Sequence, residues 1–212
     1  MTTSPDRRDR VVVGITGASG IAYGIRVLEE LRACGKESHL VVSKAAEMTL
    51  AYETDLSARE LRAMADHSYS VRDVGAAIAS GSFRTMGMVV TPCSVRTLAE
   101  IATGVTTTLL SRAAEVTLKE RRPLVLLVRE SPLTLSHIRN METVTLMGGV
   151  IALPVPAFYN RPETVAQIVD DGVGRVLGHL GIDSDLAREW SGEPPNRSVP
   201  DTSTHLDEGL TP

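Results

Sequence analysis

The residues most suited to chemistry in this 212-residue chain sit directly after short apolar runs. The run RVVVGI (10–15) leads into Gly14-Ile-Thr-Gly17-Ala-Ser-Gly20, and apolar positions at helical spacing begin at Ile21. Small residues in such a turn let the backbone approach a phosphate or a flat ring, and the start of the following helix favours an anion. The spacing is GxxGxxG, not the dinucleotide GxGxxG. The acid expected to hold a ribose at the end of the second strand is also missing. Ser43 stands there, and Glu37 lies at the other end of that run. This pattern argues against NAD and suits a mononucleotide such as FMN. The alternative is a tight strand-to-helix turn with no ligand.

Pro92-Cys-Ser-Val-Arg-Thr97 follows the apolar run MGMVVT (86–91). Ser94 and Thr97 offer hydroxyls and helix-start N–H groups, which suit either an anion or simple capping. Arg129 and Glu130 follow PLVLLV (123–128), and charges at the carboxyl end of a strand face a ligand crevice. Arg112, Glu115 and Lys119 share one helical face, which by itself reads as an exposed ion-pair stripe. Glu53 and Arg175, taken singly, read as surface residues. The histidines at 39, 67, 137, 179 and 205 show no pairing pattern and read as structural or solvated. Cys34 and Cys93 form no CxxC, which argues against a disulfide framework or a zinc site; Cys93 reads as a buried small residue.

Positioning these groups requires alternating strands and helices. Buried β-branched runs at 10–15, 39–42, 86–91, 123–128 and 149–153 predict five strands, with Pro92 ending the third. Apolar stripes predict helices over 21–33, 44–52, 57–65, 94–103, 106–120, 134–147 and 162–180, with Ser57 and Glu60 at capping-box spacing. A short helix is expected over 184–190. The stretch 66–85, with its GAAIASGSF segment, reads as loop. Strands separated by helices imply a single-domain α/β fold: a Rossmann-like (flavodoxin-like) parallel sheet with helices on both faces. Its ligands bind beyond the carboxyl ends of the strands.

Composition narrows the class. A formal net charge of -4 and the lack of a basic block give no footprint for nucleic acid or an anionic membrane. No window resembles a signal peptide or a membrane span, so the cytosol is the expected compartment. Aromatics at 3% mean an aliphatic core. The expected organisation is a flexible arm over 1–9, one domain over 10–190 and a polar, proline-rich tail over 191–212.

Taken together, the stretches GITGASGIAYG (14–24), VVSKAAEMTLAYETD (41–55), ASGSF (79–83), VVTPCSVRTLAEIATG (89–104), RAAEVTLKERRPLVLLVRESP (112–132) and LPVPAFYNRP (153–162) resemble the UbiX flavin prenyltransferase family. This family lies within a flavoprotein group that also holds cysteine decarboxylases. The resemblance implies FMN contacts at Gly17, Ala18, Ser19, Ser43, Ser94, Val95, Arg96, Thr97 and Arg129. It implies prenyl-phosphate contacts at Lys119, Tyr159 and Arg175, with Arg129 and Glu130 nearby. Ser19, Glu53 and Glu130 would be catalytic, the two acids with pKa values raised by the closed site. Arg112 and Trp190 would help close it. The implied reaction joins the dimethylallyl group of dimethylallyl phosphate to N5 and C6 of reduced FMN, without a metal. The implied assembly is a homo-oligomer, usually a dodecamer, whose product serves a UbiD-type decarboxylase.

Three other readings compete. A cysteine decarboxylase of this group is expected to carry a histidine at the first helix and a PASAN-like loop; this chain has Tyr23 and TPCSVRT. A non-catalytic FMN carrier has no use for a second phosphate site. An NAD-binding protein is disfavoured by the first loop.

Overall fold

The computed structural model describes residues 9–187 and residue 192. The helix expected over 184–190 is not formed over 184–187, where the chain turns; Trp190 and nearly all of the expected arm and tail lie outside the described residues.

The strands are β1 (Arg10–Ile15), β2 (Glu37–Val42), β3 (His67–Tyr69), β4 (Gly87–Cys93), β5 (Leu124–Val128) and β6 (Val150–Ala152). They form one sheet in the order β3-β2-β1-β4-β5-β6, and every pairing is parallel. The helices are α1 (Ile21–Ala33), α2 (Lys44–Glu53), α3 (Ala58–Ala63), α4 (Val95–Thr103), α5 (Leu109–Lys119), α6 (Leu135–Leu146) and α7 (Val165–Gly178).

Alternation along the strands feeds two cores. Val11, Val13 and Ile15 of β1 pack with Leu28 and Leu31 of α1 and Val173 and Leu177 of α7. On the other face, Val12, Met88 and Val90 pack with Leu98 of α4, Leu110 of α5 and Val144 of α6. Each fully buried leucine or isoleucine contributes about 1.5–3 kcal/mol over an exposed one. The chain order reverses between β1 and β4, and in such sheets the crevice at that reversal takes the ligand.

Helix starts follow local chemistry. Ser57 accepts from the N–H of Glu60 and Glu60 reaches back to Ser57, the expected capping box. α5 begins at Leu109, not 106, because Thr108 and Ser111 cap reciprocally. α7 begins at Val165, not at Pro162, because Thr164 and Gln167 do the same.

Two expectations need correction. The stretch read as loop contains a sixth strand, β3, which is short, polar and at the sheet edge, so it lacks the apolar run that marks a buried strand. Pro92 also does not end β4, which runs on to Cys93. The register with β5 breaks between Val90 and Cys93, so the N–H that proline lacks falls at the irregularity.

Candidate active site

Thr16, buried at the end of β1, fastens the two loops at the chain reversal. Its hydroxyl donates to the carbonyl of Pro92 at 2.7 Å and accepts from the N–H of Ser94 at 2.7 Å. Gly17 then passes against α2 so closely that a Cβ there would lie 2.4 Å from Cβ of Ala45. Only glycine allows this approach.

Two helix starts face the crevice. Ser43 caps α2, accepting from the N–H of Ala46 at 3.1 Å, and its own N–H is held by Ile15 at 2.9 Å. Ser94 caps α4, accepting from the N–H of Thr97 and donating to the Thr97 hydroxyl at 3.2 Å. Val95 and Arg96 open α4, so the helix itself offers their N–H groups no acceptor. The Arg96 side chain turns away along the helix: it is 83% exposed and pairs with Glu100 at 3.1 Å. Its contribution at this place is the backbone.

The start of α1 is already filled. Gly20, at φ 106°, gives no side-chain cap. Instead Glu53, the last residue of α2, accepts from the N–H of Gly20 at 3.0 Å and of Ile21 at 2.9 Å. Burial pushes the Glu53 pKa up, but the Ser19 hydroxyl, the Ile21 and Gly20 N–H groups and the Arg129 charge outweigh it. The net result lies below the ordinary carboxylate value. The expectation of a raised Glu53 pKa is therefore overturned, because the carboxylate meets donors where an enclosed, dry site was expected.

Arg129 leaves the end of β5, with its N–H on the carbonyl of Cys93 at 3.1 Å. Its side chain is exposed and close enough to Glu53 to stabilise that carboxylate. Glu130 accepts from the N–H of Ser131 at 3.0 Å. Beyond the ends of β5 and β6, Tyr159 and Arg175 line one cleft of about 640 Å³ together with Tyr23 and Asp171. Tyr23 was noted in the sequence only for not being histidine. Its ring presses on Gly172, where a Cβ would lie 2.9 Å away, and burial, then Asp171, raise its pKa. A neighbouring hollow of about 340 Å³ is lined by Glu163, Asp170, Asp171 and Asp185 with Arg161 among them, so acids outnumber cations there.

Lys119 and Arg112 are not part of this crevice. α5 ends at the amino edge of the sheet, where Lys119 pairs with Glu120 and lies beside Gly81. Arg122 there holds the carbonyls of Gly81 and Phe83, and the Phe83 ring stacks under Arg10, the first residue of β1. Arg112 bonds the carbonyl of Ala79 at 3.3 Å and pairs with Glu115, as the ion-pair reading of this helix expects. One chain thus brings Gly17, Ser19, Ser43, Glu53, the start of α4 and Arg129 together, with Tyr159 and Arg175 beside them. It leaves Lys119 at the far end. Cys93 is fully buried, and burial pushes its thiol pKa far up, as fits an inert core residue.

The Flavoprotein family model matches residues 1–177. The chain is 53% identical over 183 residues to the flavin prenyltransferase UbiX of Neisseria meningitidis serogroup B, spanning 86% of this chain and 97% of that relative. Its fold matches AnUbiX (PadA1), crystallised with FMN and dimethylallyl pyrophosphate, with a TM-score of 0.86 and 48% identity over 88% of this chain and 99% of that one. It also matches a dodecameric FMN-dependent UbiX-like decarboxylase from Escherichia coli O157:H7, with a TM-score of 0.84 and 48% identity over 86% of this chain and all of that one.

Proposed function

The chain belongs to the Flavoprotein family as a flavin prenyltransferase of the UbiX type, and from that premise we propose how its own residues divide the reaction. The observation that carries the proposal is that two sets of groups suited to phosphate meet at adjacent strand ends. Ser43, the α4 start and Arg129 surround the crevice between β1 and β4, while Tyr159 and Arg175 share the cleft beyond β5 and β6.

The first set fits FMN. The starts of α2 and α4 provide N–H donors and hydroxyls for one phosphate. The start of α1 is excluded from that role because Glu53 holds its N–H groups. Reduced FMN, when bound, supplies the nucleophilic N5 and C6 positions; the flavin carries the hard chemistry.

The second set fits the phosphate of dimethylallyl phosphate. As the allylic C–O bond breaks, Arg129 and Arg175 neutralise the leaving phosphate and Tyr159 donates to it. Closing the second bond puts a proton on the double bond of the N5-bound dimethylallyl group and takes one from flavin C6; Glu53, ionised and backed by Ser19, would accept the C6 proton, and Glu130 would carry a proton to the double bond. The chain residues of the described site need no metal for these steps.

Lys119 and Arg112 reach a donor phosphate only in a neighbouring copy, since they lie away from their own crevice. The single chain is built for such an assembly. On α6, Leu135, Ile138 and Leu146 are 61%, 50% and 82% exposed, and Val155 and Phe158 next to the cleft are 72% and 75% exposed. Apolar surface of this extent marks contact faces. We read these as faces of a homo-oligomer, dodecameric like the Escherichia coli UbiX-like neighbour, whose product would pass to a UbiD-type decarboxylase. No described helix is long and apolar enough to cross a membrane.

The test is release of inorganic phosphate from dimethylallyl phosphate. It should require reduced FMN and be absent with oxidised FMN; release that ignores the flavin would point to a simple phosphatase.

A further inference from the structure

At the amino end of the sheet, β2 and β3 bring together side chains that stand far apart in sequence. Their parallel register sets His39 directly opposite His67. Residues two apart on a strand share a face, so Glu37 lies beside His39, and Tyr69 beside His67. The rings of His39 and His67 stack at 4.8 Å between centroids. Nε2 of His39 bonds Oε1 of Glu37 at 3.0 Å, and Nε2 of His67 lies 3.2 Å from the same oxygen.

We propose that Glu37, His39 and His67 bind one divalent transition-metal ion of the zinc type, at a site separate from this chain's flavin crevice. The three ligand atoms all lie within 4.8 Å of one another. Tetrahedral coordination at zinc distances sets its ligand atoms about 3.3 Å apart, close to the two separations measured to Glu37; the stacked imidazoles come onto one ion when the exposed His67 ring turns out of its stack. Two imidazoles and one carboxylate are a zinc donor set that leaves a position for water. His67 is 53% exposed and opens that position to solvent.

The surroundings orient the ligands as metal sites do. Arg10 bonds the other Glu37 oxygen, Oε2, at 3.2 Å, which fixes the carboxylate and leaves Oε1 for the ion. His39 is buried, its ring meets Phe83 edge-on at 5.0 Å, and its Nδ1 lies 2.9 Å from the Tyr69 hydroxyl. A hydroxyl both donates and accepts. Tyr69 therefore serves either tautomer: it donates to Nδ1 while Nε2–H faces Glu37, and accepts from Nδ1–H once Nε2 ligates. Lys36 and Arg32 line the same shallow hollow but are engaged elsewhere, on Asp9 and on the carbonyl of Met64.

The experiment uses full-length, untagged protein stripped with a chelator. Co²⁺ is titrated while its visible ligand-field absorption is followed, and Zn²⁺ is then added in competition. One equivalent per chain should bind, giving absorption of four-coordinate intensity that Zn²⁺ removes. Glu37→Gln and His67→Ala should abolish the signal while keeping the native circular dichroism. Tyr69→Phe should weaken binding about tenfold, the usual loss for an outer hydrogen-bond partner. Zn²⁺ should raise the melting temperature of the unsubstituted protein but not of His67→Ala. Either no saturable Co²⁺ binding or binding unchanged in both Glu37→Gln and His67→Ala overturns the site.

Discussion

Glu53 closes the start of α1 from the end of α2, its carboxylate receiving the N–H groups of Gly20 and Ile21 at 3.0 and 2.9 Å. The Ser19 hydroxyl and the Arg129 charge add to this, so an ionised acid is built into the floor of the crevice. In the proposed reaction it is the base, and it is also part of the loop's architecture. The two roles separate experimentally.

Glu53→Gln keeps an acceptor for one N–H but loses the charge. FMN should still bind, as flavin fluorescence titration would read, and prenylated flavin should not accumulate. Full turnover by this variant would remove Glu53 from the proton-handling role.

The same residue makes a pH-dependent contribution to stability. A folded-state pKa below the unfolded value stabilises above the unfolded pKa, and the benefit is lost as pH falls through the folded pKa. Charge at a helix start contributes about 0.3–1 kcal/mol. Urea unfolding near neutral pH should therefore find Glu53→Gln less stable by about that amount. The gap should close once the pH falls below the depressed Glu53 value. A gap that widens in acid would contradict the assignment.

Gly17→Ala should weaken FMN binding and destabilise the fold. A Cβ 2.4 Å from Cβ of Ala45 forces the loop and α2 apart, and overpacking of this kind costs about 1–3 kcal/mol. Thermal melting with and without FMN reads both effects.

Lys119 and Glu53 lie at opposite ends of the sheet, which makes the cross-subunit clamp testable. Lys119→Ala and Glu53→Gln should each be inactive alone. Co-assembled after dissociation, they should regain part of the activity, because some sites then receive an intact Glu53 from one chain and an intact Lys119 from another. Mixed oligomers without any activity would place Lys119 outside the reaction.

Much of this arrangement could be read from local sequence, and the remainder depended on distance along the chain. β1 and α1 were legible to the residue because a buried β-branched run, a glycine turn and a helical stripe follow one another directly. The capping box at Ser57 was legible because its partners are three residues apart. β3 was not, since three polar residues at an edge carry no hydrophobic period. The partners of Glu53 are more than thirty residues away and could not be read locally, so its depressed pKa was missed in favour of the raised value expected of an enclosed site. The convergence of His39 and His67 exists only through the β2–β3 register. Lys119 shared a helical face with Arg112, but only the direction of α5 across the sheet reveals which end it reaches.

The central claim, that this chain alkylates a flavin, is tested most directly by the mass of the flavin itself. Purified protein is incubated without oxygen with reduced FMN and dimethylallyl phosphate, and the extracted flavin is weighed by mass spectrometry. The account predicts a flavin heavier by one dimethylallyl unit, with phosphate released in equal amount. Unmodified FMN after prolonged incubation, with donor and flavin both shown to be bound, would contradict it.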